Sequence, residues 1–126
     1  RVFGPHKNPR HEQGPTRALF RDAQLTDESR QLLLDARAAK GMFFTEVKTE
    51  NMIMRTTGVA TSPRIQERVP AGTTFTFAIS VRIFSDDDEA AIMGLLEEGL
   101  KLLEQDYLGA SGSRGYGQVH LEYSLA

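Results

Sequence analysis

The stretch TTFTFAISVRIF, residues 73–84, gives the clearest secondary-structure signal in the sequence. Apolar side chains recur at every second position from Phe75 to Ile83, with small or polar residues between them. This period is typical of a β-strand with one buried face and one polar face. We therefore predict a single strand over residues 73–84.

A long amphipathic helix is predicted directly after this strand. Ser85 is the candidate N-cap, and the three aspartates that follow it suit the positive end of a helix. Apolar residues then recur at helical spacing as far as Tyr107, with charged residues on the other face. Residues 119–125 alternate again, which predicts a final strand.

Between that helix and the final strand lies a glycine-rich segment, GASGSRGYG, residues 109–117. Glycine permits positive φ and a close approach of the backbone to another chain. Successive backbone N–H groups in such a turn can surround an anion, and Arg114 can pair with a phosphate. A phosphodiester backbone is the simplest partner, and the alternative is a helix C-cap at Gly109 followed by a flexible loop.

Upstream of residue 73 the sequence predicts a strand, a helix and a hairpin. Residues 17–25 are strand-like, Thr26 is a candidate N-cap, and Gly41 is placed to end the following helix. Residues 43–57 and 64–70 are strand-like on either side of a polar break, which predicts a long hairpin.

Composition limits the class of protein. The chain has 126 residues, of which 40% are hydrophobic and 25% charged, as expected for one ordinary globular domain. It has no cysteine, which excludes disulfides and thiolate metal sites, and two histidines in a Pro-rich loop, His6 and His11, are more often polar loop residues than a zinc site. No apolar run is long enough for a membrane span and no signal peptide is visible, so a cytoplasmic protein is expected.

Charge is unevenly distributed although the net charge is only −2. Basic residues predominate in residues 1–21 and 40–70, whereas acidic residues predominate in 86–106. We therefore expect one part of the surface to attract phosphate and another to repel it.

The element order indicates an α+β fold. Its closing strand–helix–strand resembles the second half of a ferredoxin-like βαββαβ domain. A complete domain of that kind needs one more core strand and helix upstream, so we expect this chain to fold poorly alone.

Five motifs in order resemble the backbone subunit of type III-A (Csm-type) CRISPR effector complexes, in the RAMP (Cas-seven-like) superfamily. They are RVFG, GPTRALFRDAQL, EVKTEN, SPRIQERVPAGTTFTF and GLKLLEQDYLGASGSRGYGQV. The resemblance extends from Arg1 to about Tyr123. It implies one RAMP domain over residues 1–126, with a ferredoxin-like, RRM-like palm and a protruding β-hairpin thumb at about 51–68. The N-terminal part of that fold is expected to lie outside this chain.

The resemblance also implies partners. Copies of the family's subunit stack along the CRISPR RNA with other type III effector subunits, and target RNA paired to the guide is cut once per subunit with a divalent metal such as Mg²⁺. An aspartate upstream of the RVFG-like motif is required for that cut. Asp22 does not match its loop, so we expect no catalytic residue, metal ligand or cofactor in this chain, and no RNA cleavage by the chain alone.

Carried over by motif, the RNA-binding candidates are the basic and amide side chains of the thumb and the centre of the glycine-rich segment. They are Lys48, Asn51, Arg55, Arg64, Arg68, Gly112, Ser113, Arg114 and Gly115. Such groups hold a phosphate backbone without reading sequence, which suits a protein that must accept any guide. Met52, Ile53, Met54 and Val59 are either wedges between bases or ordinary strand-packing residues.

Three acidic residues at the base of the thumb leave two interpretations open. Glu46, Glu50 and Glu67 either tune a metal or the attacking 2′-hydroxyl, or pair with the neighbouring Lys48 and Arg68.

Two other functions compete with guide binding. A self-sufficient RAMP-type endoribonuclease that processes precursor CRISPR RNA needs a general base, for which His6, His11 and His120 are the only histidines. A small-molecule phosphate site is disfavoured because the glycine-rich segment precedes a strand and does not open a helix.

Overall fold

The computed structural model describes residues 2–4, 10, 12, 14–41 and 43–125. The elements are β1 (Ala18–Phe20), β2 (Gln24–Leu25), α1 (Asp27–Lys40), β3 (Glu46–Ile53), β4 (Ala60–Arg68), β5 (Phe75–Thr76), β6 (Ile79–Val81), α2 (Glu89–Gln105) and a 3₁₀ turn (Gly112–Arg114). All strand pairs are antiparallel: β1 with β6, β2 with β5, and β3 with β4. The predicted α+β class is confirmed at this level.

The chain divides into two compact units. Unit 1 comprises Arg1–Arg21 and Ile79–Ala126, and unit 2 comprises Asp22–Ala78. No helix among the described residues has the length and apolar character needed to cross a membrane. The single domain expected over residues 1–126 remains a prediction.

The apolar core of unit 1 is small. Val2, Ala18, Ile92 and Leu96 are buried together, and β6 and α2 add partly buried side chains around them. No described side chain is completely buried, and many large apolar side chains are exposed. Apolar burial is the main favourable contribution to folding, so this core alone stabilises the unit weakly.

Helix α1 in unit 2 begins and ends at the predicted caps. The Thr26 hydroxyl accepts a hydrogen bond from the Ser29 amide at 3.2 Å. Gly41 adopts the left-handed conformation, with φ 64°, and its N–H donates to the Arg37 carbonyl at 2.9 Å. Ser29 is buried and its hydroxyl accepts from the Thr74 amide at 2.8 Å, which ties the helix to the segment before β5.

The single strands predicted over residues 17–25 and 73–84 are wrong in extent. Each is interrupted, at 21–23 and at 77–78, so that each supplies two short strands. Both interruptions fall at the boundary between the two units. The same two chain segments pair on both sides of the interruptions, as β1 with β6 and as β2 with β5. The register shifts between them, because three residues of one segment, 21–23, are matched by only two of the other, 77–78.

The N-cap of helix α2 lies at Asp88, three residues after the predicted cap at Ser85. The Asp87 carboxylate accepts from the Phe84 amide at 3.0 Å, and the Asp87 amide donates to the Phe84 carbonyl at 3.0 Å. These bonds form a turn over 84–87. Asp88 is therefore the N-cap, and its side chain accepts from the Ala91 amide at 3.1 Å.

The predicted final strand over 119–125 is also wrong, since the structure has no strand among the described residues after residue 81. Side-chain contacts hold the segment to α2 instead. The Glu104 carboxylate accepts from the Leu121 amide at 2.7 Å and pairs with His120 Nδ1 at 2.8 Å. Alternation of apolar residues indicates two faces, but it does not supply a partner strand.

Candidate nucleic-acid interface

The β3–β4 hairpin brings three of the nine predicted RNA-binding residues, Lys48, Arg64 and Arg68, into one antiparallel ladder. Along β3, half-buried Glu46, Lys48 and Glu50 alternate with exposed residues, as the sequence predicts. Their partners across the ladder on β4 are Arg68, Gln66 and Arg64, respectively. Directly opposite side chains in a ladder are close enough to interact, so the three rungs join acidic, basic and amide groups on one face.

The first rung is a two-bond ion pair. Arg68 donates from Nε to Glu46 Oε2 at 2.9 Å and from Nη2 to Glu46 Oε1 at 2.8 Å. These bonds from Arg68 lower the pKa of the Glu46 carboxyl, with a smaller contribution from the charge of Lys48. The interpretation that Glu46 pairs with Arg68 is therefore confirmed. Because both planar groups are engaged edge to edge, phosphate must compete with a carboxylate for this arginine.

In the third rung, Arg64 is less tightly held by its carboxylate partner than Arg68 is in the first rung. Arg64 Nη2 lies 3.7 Å from Glu50 Oε2, beyond hydrogen-bond distance, and the Arg64 side chain is 50% exposed. The Glu50 side chain is only 11% exposed. Glu67 lies on the other face, where it accepts from the Thr45 hydroxyl at 3.1 Å. Glu67 therefore does not join the other two carboxylates.

A bulge separates this ladder from the hairpin tip. The register shifts between Glu50 and Met52, so Asn51 lies opposite Ser62 and Pro63 without regular pairing. Strand β4 begins at Ala60, inside the break predicted from the sequence. It can contain Pro63 because the irregular pairing at this point requires no backbone N–H from that residue. A bulge twists the strand and redirects side chains beyond it.

The tip exposes four apolar side chains around one arginine. Met52, Ile53, Met54 and Val59 are 60%, 65%, 46% and 55% exposed, and Arg55 is exposed in the turn between them. Met54 and Val59 are joined by a backbone hydrogen bond from the Met54 amide at 3.0 Å. Since these side chains are exposed, they do not form an interior strand-packing layer within the described chain.

The glycine-rich segment in unit 1 is a closed loop and not a simple C-cap. The Leu108 amide donates to the Gly117 carbonyl at 2.8 Å, which joins the two ends of the loop. Positive φ at Gly109, Ser111 and Gly115 bends the chain around the 3₁₀ turn. Gly117 also has positive φ, at 75°.

At two positions of this loop, any side chain would clash with neighbouring atoms, so only glycine fits. A Cβ at Gly112 would clash with the Tyr107 ring, and one at Gly117 would clash with the Leu108 carbonyl. Gly115 has open space around it, so only its φ of 79° favours glycine. Ser113, Arg114 and Gly115 are exposed on the outside of the closed loop.

A buried ion pair in unit 1 removes one arginine from the predicted basic surface. Arg17 lies in the basic N-terminal segment, but it donates from Nε and Nη2 to Asp87 at 2.7 and 2.8 Å, and the two side chains are 4% and 2% exposed. The Asp87 hydrogen bonds raise the pKa of Arg17, and its guanidinium also lies 4.4 Å from the Phe84 ring centroid. The expectation that this part of the segment attracts phosphate is therefore wrong for Arg17. Nothing in the sequence marks Asp87 as its partner.

His120, the one histidine that the structure describes, lies on the surface beside two glutamates. His120 is 79% exposed and pairs with Glu104, with Glu122 at 3.6 Å. His6 and His11 lie outside the described residues. Within the part of the chain that the structure describes, no three histidine or carboxylate side chains are grouped to hold a metal ion.

Comparison with known proteins identifies the relatives of this chain, although no protein-family model matches it. The protein named CRISPR system Cms endoribonuclease Csm3 from Methanocaldococcus jannaschii is 39% identical over 121 residues, which cover 94% of this chain and 45% of that protein. The protein of the same name from Streptococcus thermophilus is 42% identical over 125 residues, covering 97% of this chain and 53% of the relative. The one from Mycobacterium tuberculosis is 41% identical over 116 residues, covering 82% and 47%.

The chain thus spans about half the length of the curated relatives it matches. The resemblance found in the separated motifs is confirmed by identities that extend across nearly the whole chain. Over the span that it shares with them, this chain is similar to proteins named CRISPR system Cms endoribonuclease Csm3.

Proposed function

We propose that this chain is part of a CRISPR RNA-binding backbone subunit of a type III RNA-targeting complex in antiviral defence. The observation that carries the proposal is the identity of 39–42% with four proteins named as Csm3 endoribonucleases. The palm is a ferredoxin-like, RRM-like domain, and the thumb is the part of the β3–β4 hairpin at about residues 51–68.

The thumb holds the guide through its backbone. Arg64 and Arg55 are the principal cationic contacts because both are exposed, whereas Arg68 is engaged with Glu46 and Lys48 is half-buried on the same face. Asn51 at the bulge adds an amide that can donate to phosphate or sugar oxygens. Cations and amides position a ribose-phosphate chain without selecting its bases, so any guide is accepted and sequence choice is left to pairing.

The apolar tip separates neighbouring bases. Opening one base step costs a few kcal/mol, which exposed apolar side chains offset by contact with the unstacked base faces. The exposure of Met52, Ile53 and Met54 supports this use of the tip, since these side chains have no interior to pack in.

The closed glycine-rich loop binds the phosphate backbone through Arg114 and main-chain amides. Ser113 and Gly115 allow a close approach because they are exposed and carry little or no side chain, whereas the bare side of Gly112 is filled by the Tyr107 ring. Arg114 supplies a planar group that matches a phosphate in two-bond geometry.

Cleavage of the target RNA is assigned to the whole protein and not to these residues. Among the described residues, no three histidine or carboxylate side chains are grouped to hold a metal ion. We propose that Mg²⁺ and the catalytic aspartate act in sequence outside this span, and that the partners are CRISPR RNA, target RNA, further copies of the subunit and other type III subunits.

Fluorescence anisotropy with short RNAs of unrelated sequence tests the proposal. Arg114→Ala should weaken binding by a similar factor for every sequence, because a phosphate contact carries no sequence information. Arg21→Ala is the matched control, since Arg21 is also an exposed arginine of unit 1 but lies outside the loop. Equal losses in the two variants, or a loss confined to one RNA sequence, would contradict the assignment.

A further inference from the structure

One residue of the β3–β4 hairpin holds a backbone conformation that the local sequence disfavours. Among the described residues, Ser62 and Ser111 combine a side chain with a positive φ, and Ser62 has φ 53°. A residue with a Cβ rarely adopts this left-handed conformation, and a residue that precedes a proline, here Pro63, favours extended backbone. Such strain persists only where the surrounding structure imposes it, and it is concentrated at functional sites.

The bulge in β4 imposes this conformation. The register shifts between Glu50 and Met52, so that Asn51 alone lies opposite both Ser62 and Pro63. A left-handed first residue is typical of the G1 type of bulge, in which that residue is usually glycine. The second residue, a proline, has its own φ fixed and no N–H to pair. The two residues therefore hold one bulge geometry, with less conformational freedom than glycine at the first position would leave.

Pairing is regular again on the tip side of the bulge. The Thr61 hydroxyl donates to the Met52 carbonyl at 3.2 Å, and the Met54 amide donates to the Val59 carbonyl at 3.0 Å. The irregularity is thus confined to residues 62 and 63. Because it adds one residue to one strand, it bends and twists that strand and reverses the facing of every β4 residue between the bulge and the turn. The bulge therefore sets the direction of the tip relative to the ladder.

The two parts of the hairpin that the bulge joins differ in chemistry. Arg64, the first residue of the ladder, has a half-exposed cationic side chain. Met52 and Ile53, at the start of the tip, have apolar side chains that are 60% and 65% exposed. One RNA strand can meet both groups only if the tip crosses the strand near the phosphate that Arg64 holds. The angle between ladder and tip decides whether this is possible.

We propose that Ser62 and Pro63 are positioning residues, whose bulge holds the apolar tip at the angle at which it enters between two neighbouring bases. This inference rests on the proposed function, because it assumes that the hairpin holds RNA. The contact of Arg64 with phosphate does not need the bulge, so RNA affinity and base separation are separable. Without the bulge, the hairpin still binds the RNA backbone but leaves the bases stacked.

Two substitutions at one residue test the role of the backbone conformation. Ser62→Val and Ser62→Gly both remove the hydroxyl, but only Ser62→Val disfavours the left-handed conformation, since valine is β-branched and glycine has no Cβ. Both are made in the whole subunit of which this chain is proposed to be a part. The RNA is rich in adenine, so that its bases stack, and it carries a 2-aminopurine base, which brightens when it is separated from its neighbour. A set of RNAs moves this base along the strand.

We expect the fluorescence of bound RNA to rise, at one or more positions of the 2-aminopurine, with the unmodified subunit and with Ser62→Gly. This rise should be lost with Ser62→Val. RNA affinity should be nearly the same for all three proteins, because the cost of opening a base step and the contacts that offset it are lost together. An equal rise with Ser62→Val would overturn the proposal, and so would an equal loss with Ser62→Gly.

A distance measured without RNA gives a second readout. Spin labels are attached at Ala38→Cys in α1 and Thr56→Cys in the turn of the tip, which are exposed residues of unit 2, and this chain adds no other cysteine. Ser62→Val should shift the main distance between the labels, whereas Ser62→Gly should keep it. An unchanged distance with Ser62→Val would overturn the proposal.

A second variant serves if Ser62→Val does not fold. It replaces Ser62 and Pro63 by a single threonine, which restores one-to-one pairing with Asn51. The same loss of fluorescence and the same shift in distance are expected, and their absence would overturn the proposal.

Failure of the proposed function gives a different result. If the unmodified subunit binds no RNA, the proposed function is rejected, and the inference about base separation is rejected with it. If the unmodified subunit binds RNA and raises the fluorescence but Ser62→Val does so equally, only the role of the bulge is rejected.

Discussion

Arg64→Gln should lower the affinity of the chain for single-stranded RNA and make that affinity less sensitive to salt. The substitution keeps most of the side-chain length and removes the charge. Arg64 is suited to this test because it is half-exposed and its nearest carboxylate atom, on Glu50, is 3.7 Å away. Its guanidinium is thus close to a carboxylate but does not hydrogen-bond to it.

The size of the effect follows from counterion release. Each phosphate neutralised on a single strand contributes about −0.7 to the slope of log K against log salt. If the contribution vanishes near 1 M salt, one contact strengthens binding about fivefold at 0.1 M and about eightfold at 0.05 M. Anisotropy titrations at four or five salt concentrations give both the slope and the affinity.

The control removes an arginine whose charge is already compensated. The double variant Glu46→Gln/Arg68→Gln leaves the net charge unchanged and deletes the bidentate pair. Its salt slope should match that of the unmodified chain. The reasoning is refuted if Arg64→Gln leaves the slope unchanged, or if the double variant reduces it as much.

Three further results are expected. In urea unfolding, Gly117→Ala should destabilise the chain by at least about 1 kcal/mol more than Gly115→Ala. Both alanines would be strained in the left-handed conformation, but only Gly117→Ala also disrupts the hydrogen bond that closes the loop. The pKa of Glu46 is lowered in the folded hairpin, so ionised Glu46 stabilises the folded state. This stabilisation should be complete above the ordinary glutamate pKa of about 4.3 and should be lost as pH falls below that value. Glu46→Gln should remove this part of the pH dependence of thermal unfolding. Asp87→Asn should lower the Tm more than Glu46→Gln, because it leaves Arg17 buried without its charge partner, whereas Glu46 is 42% exposed; equal shifts would contradict this reasoning.

Local signals in the sequence predicted the elements whose stability is local. Helix α1 was predicted with both caps, since Thr26 and Gly41 satisfy the ends of that helix by themselves. The β3–β4 hairpin was predicted from alternation, and the facing of Glu46, Lys48 and Glu50 followed from the strand period.

Features that depend on distant residues were not predicted. The interruption of the strand at 77–78 depends on its register with a segment more than 50 residues earlier in the sequence, and the missing strand at 119–125 depends on having a partner at all. The late start of α2 depends on Asp87, whose carboxylate is held by Arg17, 70 residues away. The residue types were visible in the sequence, but their pairing was not.

The site residues named from the motifs, in the hairpin and the glycine-rich segment, stay a prediction, and the structure adds their geometry. Composition alone does not distinguish Arg68, which is held by Glu46, from Arg64, which is more available. That difference arises from the register of the ladder, which the sequence does not state.

The bond between Leu108 and Gly117 has a consequence for the thermodynamics of RNA binding. A loop already fixed at both ends has few backbone conformations left to lose when a ligand arrives, so little of the binding free energy is spent on ordering it. In the proposed complex, guides of every sequence then meet the same preformed surface. Calorimetry should therefore give an entropy of binding at this loop that varies little from one RNA to another.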